Sequence, residues 1–213
     1  MAVAVGLPAC DQAPPQPPAS PTAPVAYGYS AAPISFNDDA QNNTTVDPNN
    51  LDLHFVDIKG NQVTLQDFHE KKNIVLVFTR GFSGQICPFC TTQTSRLAAN
   101  YQEFAKRDTE VLAVYPGDKS SVPAFLKAVE AQSKTGPGEP PFPLLLDEQM
   151  AAVDRLGIRG DLAKPSTYIL DKQGQVRFAY VGAHAADRPS IKALLNQLDI
   201  LVSEQPPPSA PAP

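Results

Sequence analysis

Residues 51–203 predict an α/β domain, a central mixed β-sheet flanked by helices, set between two proline-rich tails that predict disorder. Three observations carry this. Short apolar runs with strand character alternate with stretches of helical periodicity. The motif Cys87-Pro88-Phe89-Cys90 lies between the apolar run Asn73-Ile74-Val75-Leu76-Val77-Phe78 and a helix-like stretch, so a strand leads to a pair of thiols at a helix entrance. The prolines, 23 in 213 residues, crowd the two ends and leave the middle free to fold.

Met1 to Ala9 is apolar and small and ends in Leu7-Pro8-Ala9-Cys10. From 11 to 50 the chain is mainly Ala, Pro, Gln, Ser, Asn and Asp. It buries too little apolar surface to offset its ordering entropy and reads as a semi-extended tether. The folded unit then starts at Leu51. Leu51-Asp52-Leu53-His54-Phe55-Val56 alternates like a half-buried strand, and Asp57-Ile58-Lys59-Gly60-Asn61 turns it toward a second strand at Gln62 to Leu65. Ile74 to Phe78 is continuously apolar, as a central strand covered on both faces must be. A helix is predicted from Thr91 to Lys106, where Leu97, Ala98, Tyr101, Phe104 and Ala105 share one face.

Thr109 to Tyr115 is the next strand, and Ser120 or Ser121 caps a helix through Phe125, Leu126 and Val129. That helix ends before the turn-rich Thr135-Gly136-Pro137-Gly138-Glu139-Pro140-Pro141. A short strand at Phe142 to Leu146 and a short helix from Met150 to Leu156 follow. Pro165 opens a strand at Ser166 to Leu170, which Asp171-Lys172-Gln173-Gly174 turns into Gln175 to Tyr180 as a hairpin. A last helix starts near Pro189 with Ile191, Leu194, Leu195 and Leu198 on one face, and 204–213 forms the second tail.

A helix entrance stabilises a thiolate through backbone N–H groups and the helix dipole. Cys87 takes that place, and Pro88 suits the first helical position because no N–H is needed there. Cys87 is therefore the expected nucleophile, the more exposed and more acidic thiol, and Cys90, one turn further in, attacks the resulting mixed disulfide. Three alternatives stand beside this. A structural disulfide closes too short a loop to stabilise much. Zinc wants a second pair of ligands, and only Cys10 and the dispersed His54, His69 and His184 remain. A copper carrier or a non-catalytic binding module is the third, the carrier requiring His184 to fold over the thiols.

The formal charge of −5 and the lack of a dense Lys/Arg cluster exclude a nucleic-acid partner. No apolar run approaches the roughly 18 residues of a membrane span. No glycine-rich phosphate loop follows a strand, so no cofactor is expected.

In this order, the elements resemble the thioredoxin fold. Four stretches resemble more narrowly the alkyl hydroperoxide reductase and thiol-specific antioxidant family, the peroxiredoxin-like proteins. These are Phe78-Thr79-Arg80-Gly81 leading to the thiols, Phe142-Pro143-Leu144-Leu145-Leu146-Asp147, Pro165-Ser166-Thr167-Tyr168-Ile169-Leu170-Asp171 with Gly174, and Asp187-Arg188-Pro189-Ser190. Residues 1–10 resemble a bacterial lipoprotein signal, although no Lys or Arg precedes the apolar stretch, that stretch is short, and Pro8 replaces a small residue. That resemblance implies a lipidated Cys10 and an extracytoplasmic domain that meets the membrane only through its anchor.

The fold resemblance implies that Pro165 is cis, packs against the thiols, and offers a strand edge to an extended substrate. The peroxiredoxin-like site resembles Pro-x-x-x-Thr-x-x-Cys. Aligning Cys87 with its cysteine puts Arg80 and Gly84 at the proline and threonine positions, and the arginine that supports the attacked oxygen falls near Pro165. Aligning Cys90 instead puts Ser83 and Cys87 there. Arg80 is the one surrogate donor in sight. Phe82 and Ile86 either present apolar surface to a partner or plug the loop into the core. The expected function is thus an oxidoreductase exchanging electrons with protein disulfides through Cys87 and Cys90. The alternative is a thiol-dependent hydroperoxide reductase, and either is fed by an external thiol donor.

Overall fold

The computed structural model describes residues 1–2, 34–132 and 139–204. Cys10 with the rest of 3–33, the turn at 133–138 and the tail at 205–213 lie outside the described residues. Among the described residues seven strands build one mixed sheet: β1 (His54–Asp57), β2 (Gln62–Thr64), β3 (Asn73–Phe78), β4 (Thr109–Pro116), β5 (Leu144–Asp147), β6 (Ser166–Leu170) and β7 (Val176–Val181). Their order is β2-β1-β5-β4-β3-β6-β7. β3 is parallel to β4, with Val75 opposite Val111, and antiparallel to β6, with Leu76 opposite Tyr168.

All six residues of β3 are buried because each face of the strand meets its own core. Val75 and Val77 pack with Leu97, Phe104, Phe125, Leu194 and Leu198, which come from α1 (Pro88–Ala99), α2 (Tyr101–Ala105), α3 (Val122–Gln132) and α5 (Ile191–Glu204). Ile74, Leu76 and Phe78 pack on the other face with Leu51, Leu65 and Tyr168, and with Val153 of α4 (Ala151–Arg155). The period of two along the strand thus becomes two layers, and the Cys87/Cys90 helix lies on the Val75/Val77 face.

Two expectations are corrected here. The helix predicted from Thr91 to Lys106 breaks at Asn100, whose Nδ2 donates to the Arg96 carbonyl at 2.8 Å and whose backbone leaves the helical region at φ −111°, ψ 13°. A side-chain amide bonded to the preceding turn competes with helix continuation. The tether predicted to run to residue 50 ends earlier, since the compact unit begins at Ile34 and Phe36 and Ala40 are buried. Asn43 exchanges side-chain bonds with Val181 at 3.0 and 2.9 Å, its N–H donates to Ala179 O at 3.1 Å, and Asn42 Oδ1 accepts from Ala179 N–H. The polar residues that look like a tether in composition satisfy the outer edge of β7.

Candidate active site

β3 ends at Phe78, and residues 79–87 carry the chain to the start of α1. Gly81 is required in this lip. It sits at φ +84°, and a Cβ there would lie 2.2 Å from the Pro116 carbonyl oxygen at the end of β4. Phe82 and Ile86 are half-buried and pack against the core, so they plug the lip into the domain. Ser83, Gly84 and Gln85 are exposed.

Cys87 is the N-cap of α1, and its Sγ accepts the Cys90 N–H at 3.3 Å. Pro88 occupies the first turn, where a missing donor costs nothing. Both cysteines are free thiols, Cys87 half-buried and Cys90 only 1% exposed. Cys90 Sγ accepts two further N–H groups, from the Arg80 backbone at 3.4 Å and from Arg188 Nη2 at 3.2 Å.

Arg188 is itself 1% exposed. Its Nε donates to Ala185 O at 2.8 Å and its Nη1 to Gln93 Oε1, one turn along α1 from Cys90. Among the described residues no carboxylate forms a salt bridge with it. The adjacent Asp187 accepts instead from Tyr180 OH and from the Ala183 N–H. An uncompensated buried guanidinium is costly, so its 3.2 Å contact with Cys90 Sγ favours the thiolate there. Burial pushes the Cys90 thiol up, but the Cys87 hydrogen bond, the Arg188 charge, the Arg80 N–H and the Arg188 hydrogen bond overcome it and hold Cys90 at about 6. Its hydrogen bond to Cys90, burial and the charge on Cys90 push the Cys87 thiol up.

Several sequence expectations meet this geometry. Cys87 and Cys90 come together as expected, and Cys87 is the more exposed, but the acidity is reversed. The helix entrance provides Cys87 with a single N–H, whereas a buried cation faces Cys90. Arg80 contributes its backbone N–H to the thiol, and the guanidinium beside the sulfur is that of Arg188. Pro165 is buried but trans, like every described peptide bond. Its carbonyl accepts from Gly182 N–H at 2.8 Å, and β6 is paired on both sides by β3 and β7. Pro165 thus supports the loop that bears Arg188 and offers no open edge to a substrate.

Among the described residues no group of three His, Cys, Asp or Glu side chains gathers to hold a metal. Arg188 and Gln93 are the side chains around the thiols that pattern reading missed. Gln93 stands one helical turn past Cys90, and Arg188 stands in Asp187-Arg188-Pro189-Ser190, which read only as part of a resemblance.

Comparison with known proteins places this site in context. Residues 44–179 match the AhpC/TSA family. The chain is 30% identical over 128 residues to the chloroplastic peroxiredoxin Q of Triticum aestivum, a match covering 58% of this chain and 53% of that protein. It is 29% identical over 120 residues to peroxiredoxin 2 of Sulfurisphaera tokodaii, covering 54% of each. The chain therefore spans about half the length of the curated relatives it matches. Among solved structures, Xanthomonas campestris peroxiredoxin Q superposes with a TM-score of 0.57 at 21% identity, over 78% of this chain and 99% of that one. Peroxidoxin BcpB from Mycobacterium tuberculosis does so at 0.57 and 20%, over 76% and 97%. At these identities the structural likeness is one of fold, and the fold is the thioredoxin-like one expected from the sequence.

Proposed function

The chain belongs to the AhpC/TSA family, and from that premise we propose that it is a thiol-dependent peroxidase reducing hydroperoxides through Cys87 and Cys90. The observation that supports this reading is the Arg188 guanidinium 3.2 Å from Cys90 Sγ. Cleavage of an O–O bond needs a donor where charge develops on oxygen, and a buried arginine beside the sulfur is placed to supply one.

The Cys90 thiolate attacks one peroxide oxygen. An S–O bond forms as the O–O bond breaks, its electron pair leaves with the distal oxygen, and that oxygen departs as alcohol or water after taking a proton. Arg188 and the Arg80 N–H lie where charge passes from sulfur to oxygen. Cys87 then gives up its proton and attacks the Cys90 sulfenic sulfur, releasing water and closing the disulfide. The external thiol donor attacks Cys87, the exposed sulfur, and Cys90 leaves readily because its thiolate is stabilised. The lipoprotein-like Leu7-Pro8-Ala9-Cys10 supports a lipid anchor on Cys10 and an extracytoplasmic site of action, to be checked by membrane release of Cys10→Ser.

The deciding experiment follows oxidation of the reduced protein by hydrogen peroxide and by a protein disulfide at equal concentrations. The peroxide reaction should be the faster; a faster disulfide reaction would overturn the proposal.

A further inference from the structure

The loop that brings Arg188 to the thiol is bracketed by a segment far away in the chain. The Asn37 N–H donates to Arg188 O at 2.8 Å, and the Asn37 carbonyl accepts from Ser190 N–H at 2.8 Å, so one residue closes the backbone on both sides of Pro189. The same segment is tied to the helix that carries the thiols. Arg96 of α1 donates to Ile34 O and lies 4.9 Å from the centroid of the buried Phe36 ring, a cation–π contact. Asn42 and Asn43 clip its far end to β7. Residues 34–43 thus form a strap joining α1, the Arg188 loop and β7.

We propose that this strap is a working part of the thiol site, with Asn37 a positioning residue that latches Arg188 against Cys90, and that the latch is tightest while Cys90 is an anion. When a peroxide oxidises the pair, two electrons pass to it, one proton comes from Cys87 and one from solvent, alcohol and water form, and the sulfurs join as a neutral disulfide. Among the described residues Arg188 then keeps the neutral Ala185 O and Gln93 Oε1 as acceptors. A buried cation stripped of its counter-charge favours solvent, so the inward position of the loop weakens and the strap bonded to it loosens. The coupling is reciprocal: a thiolate that favours the docked strap is favoured by it to the same degree. The proposal rests on reversible oxidation of the pair and not on which oxidant does it.

The test uses the full chain. Asn37→Pro removes the N–H that holds Arg188 O. Asn37→Ser keeps both backbone groups and an oxygen able to replace Asn37 Oδ1, which accepts from the Asp39 N–H at 3.0 Å. The first readout is the pH midpoint of iodoacetamide labelling of the reduced thiols. It should rise by about one unit in the proline variant, the low end of what a lost neighbouring charge does, and stay put in the serine variant. The second is amide hydrogen exchange of residues 34–43 in the wild type, expected to be about 5-fold or more faster in the disulfide form than in the dithiol form. An unchanged midpoint in a folded proline variant, or equal exchange in the two redox states, overturns the proposal. The exchange measurement needs no variant and decides the matter alone if Asn37→Pro does not fold. Neither readout contains peroxide, so failure here is separate from failure of the peroxidase reading.

Discussion

Replacing Arg188 by Met removes the guanidinium from Cys90 while filling most of its volume, and its effects on two reactions should diverge. With Cys90 held at about 6, nine thiols in ten are ionised at pH 7; return to the ordinary value of about 8.5 leaves about 3%. That is roughly a 30-fold loss of thiolate. A less acidic thiol is the stronger nucleophile, however, and with a Brønsted slope of about 0.4–0.5 the shift of about 2.5 units recovers about 10- to 18-fold. Disulfide exchange should therefore fall only about 2- to 3-fold. Peroxide cleavage loses in addition a donor at the breaking O–O bond, which costs on the order of 100-fold, so it should fall by about 200-fold or more.

The assay is stopped-flow oxidation of the reduced variant by hydrogen peroxide and by a small aromatic disulfide, with the labelling midpoint recorded on the same sample. Circular dichroism and Tm guard against unfolding, since Gln93 Oε1 and Ala185 O lose a donor at about 1–3 kcal/mol each. Arg188→Lys, which keeps the charge without the planar fork, should fall between the two. A proportional fall in both rates, or a labelling midpoint that does not move, would refute the reasoning.

Other outcomes follow from the same geometry. The reduced protein should gain stability relative to the disulfide form as pH rises from about 6 to about 8.5. In that window folded Cys90 is ionised while its unfolded counterpart still holds a proton. Above about 8.5 the trend should reverse, because the unfolded Cys87 ionises while the folded thiol, pushed up by its bond to Cys90, does not. Tm of both redox forms against pH checks this, and parallel curves would contradict it. Cys87→Ser should accumulate a sulfenic acid on Cys90 when treated with peroxide, and Cys90→Ser should react slowly with peroxide yet trap the donor as a mixed disulfide on Cys87; mass spectrometry showing rapid sulfenate on Cys87 would reverse the roles. Gly81→Ala drives a Cβ into Pro116 O at a positive φ, and should cost about 1–3 kcal/mol in thermal unfolding while the labelling midpoint moves little.

The sequence by itself determined whatever depends on neighbours in the chain. The unbroken apolar run of β3 requires cover on both faces, the alternation at 51–56 requires one wet face, and a Cys before Pro88 at a helix entrance puts two thiols within one turn. Those local rules were enough for the α/β sheet, its thioredoxin-like order and the neighbouring thiols. Only the tertiary structure decided which thiol holds the charge. Arg188 lies 98 residues from Cys90, and it reaches the sulfur because α5 and α1 share the Val75/Val77 face of the sheet and the loop before α5 turns inward under the strap. Composition read 34–50 as tether because its polar side chains have no apolar surface to bury; their partners are the open edge of β7 and the backbone around Pro189, which exist only once the sheet has formed. Pro165 followed the same logic in reverse, its bonds set by Gly182 and the pairing of β6 rather than by the residues beside it. Electrostatics at a buried sulfur depends on distance in space, and a linear pattern records distance only along the chain.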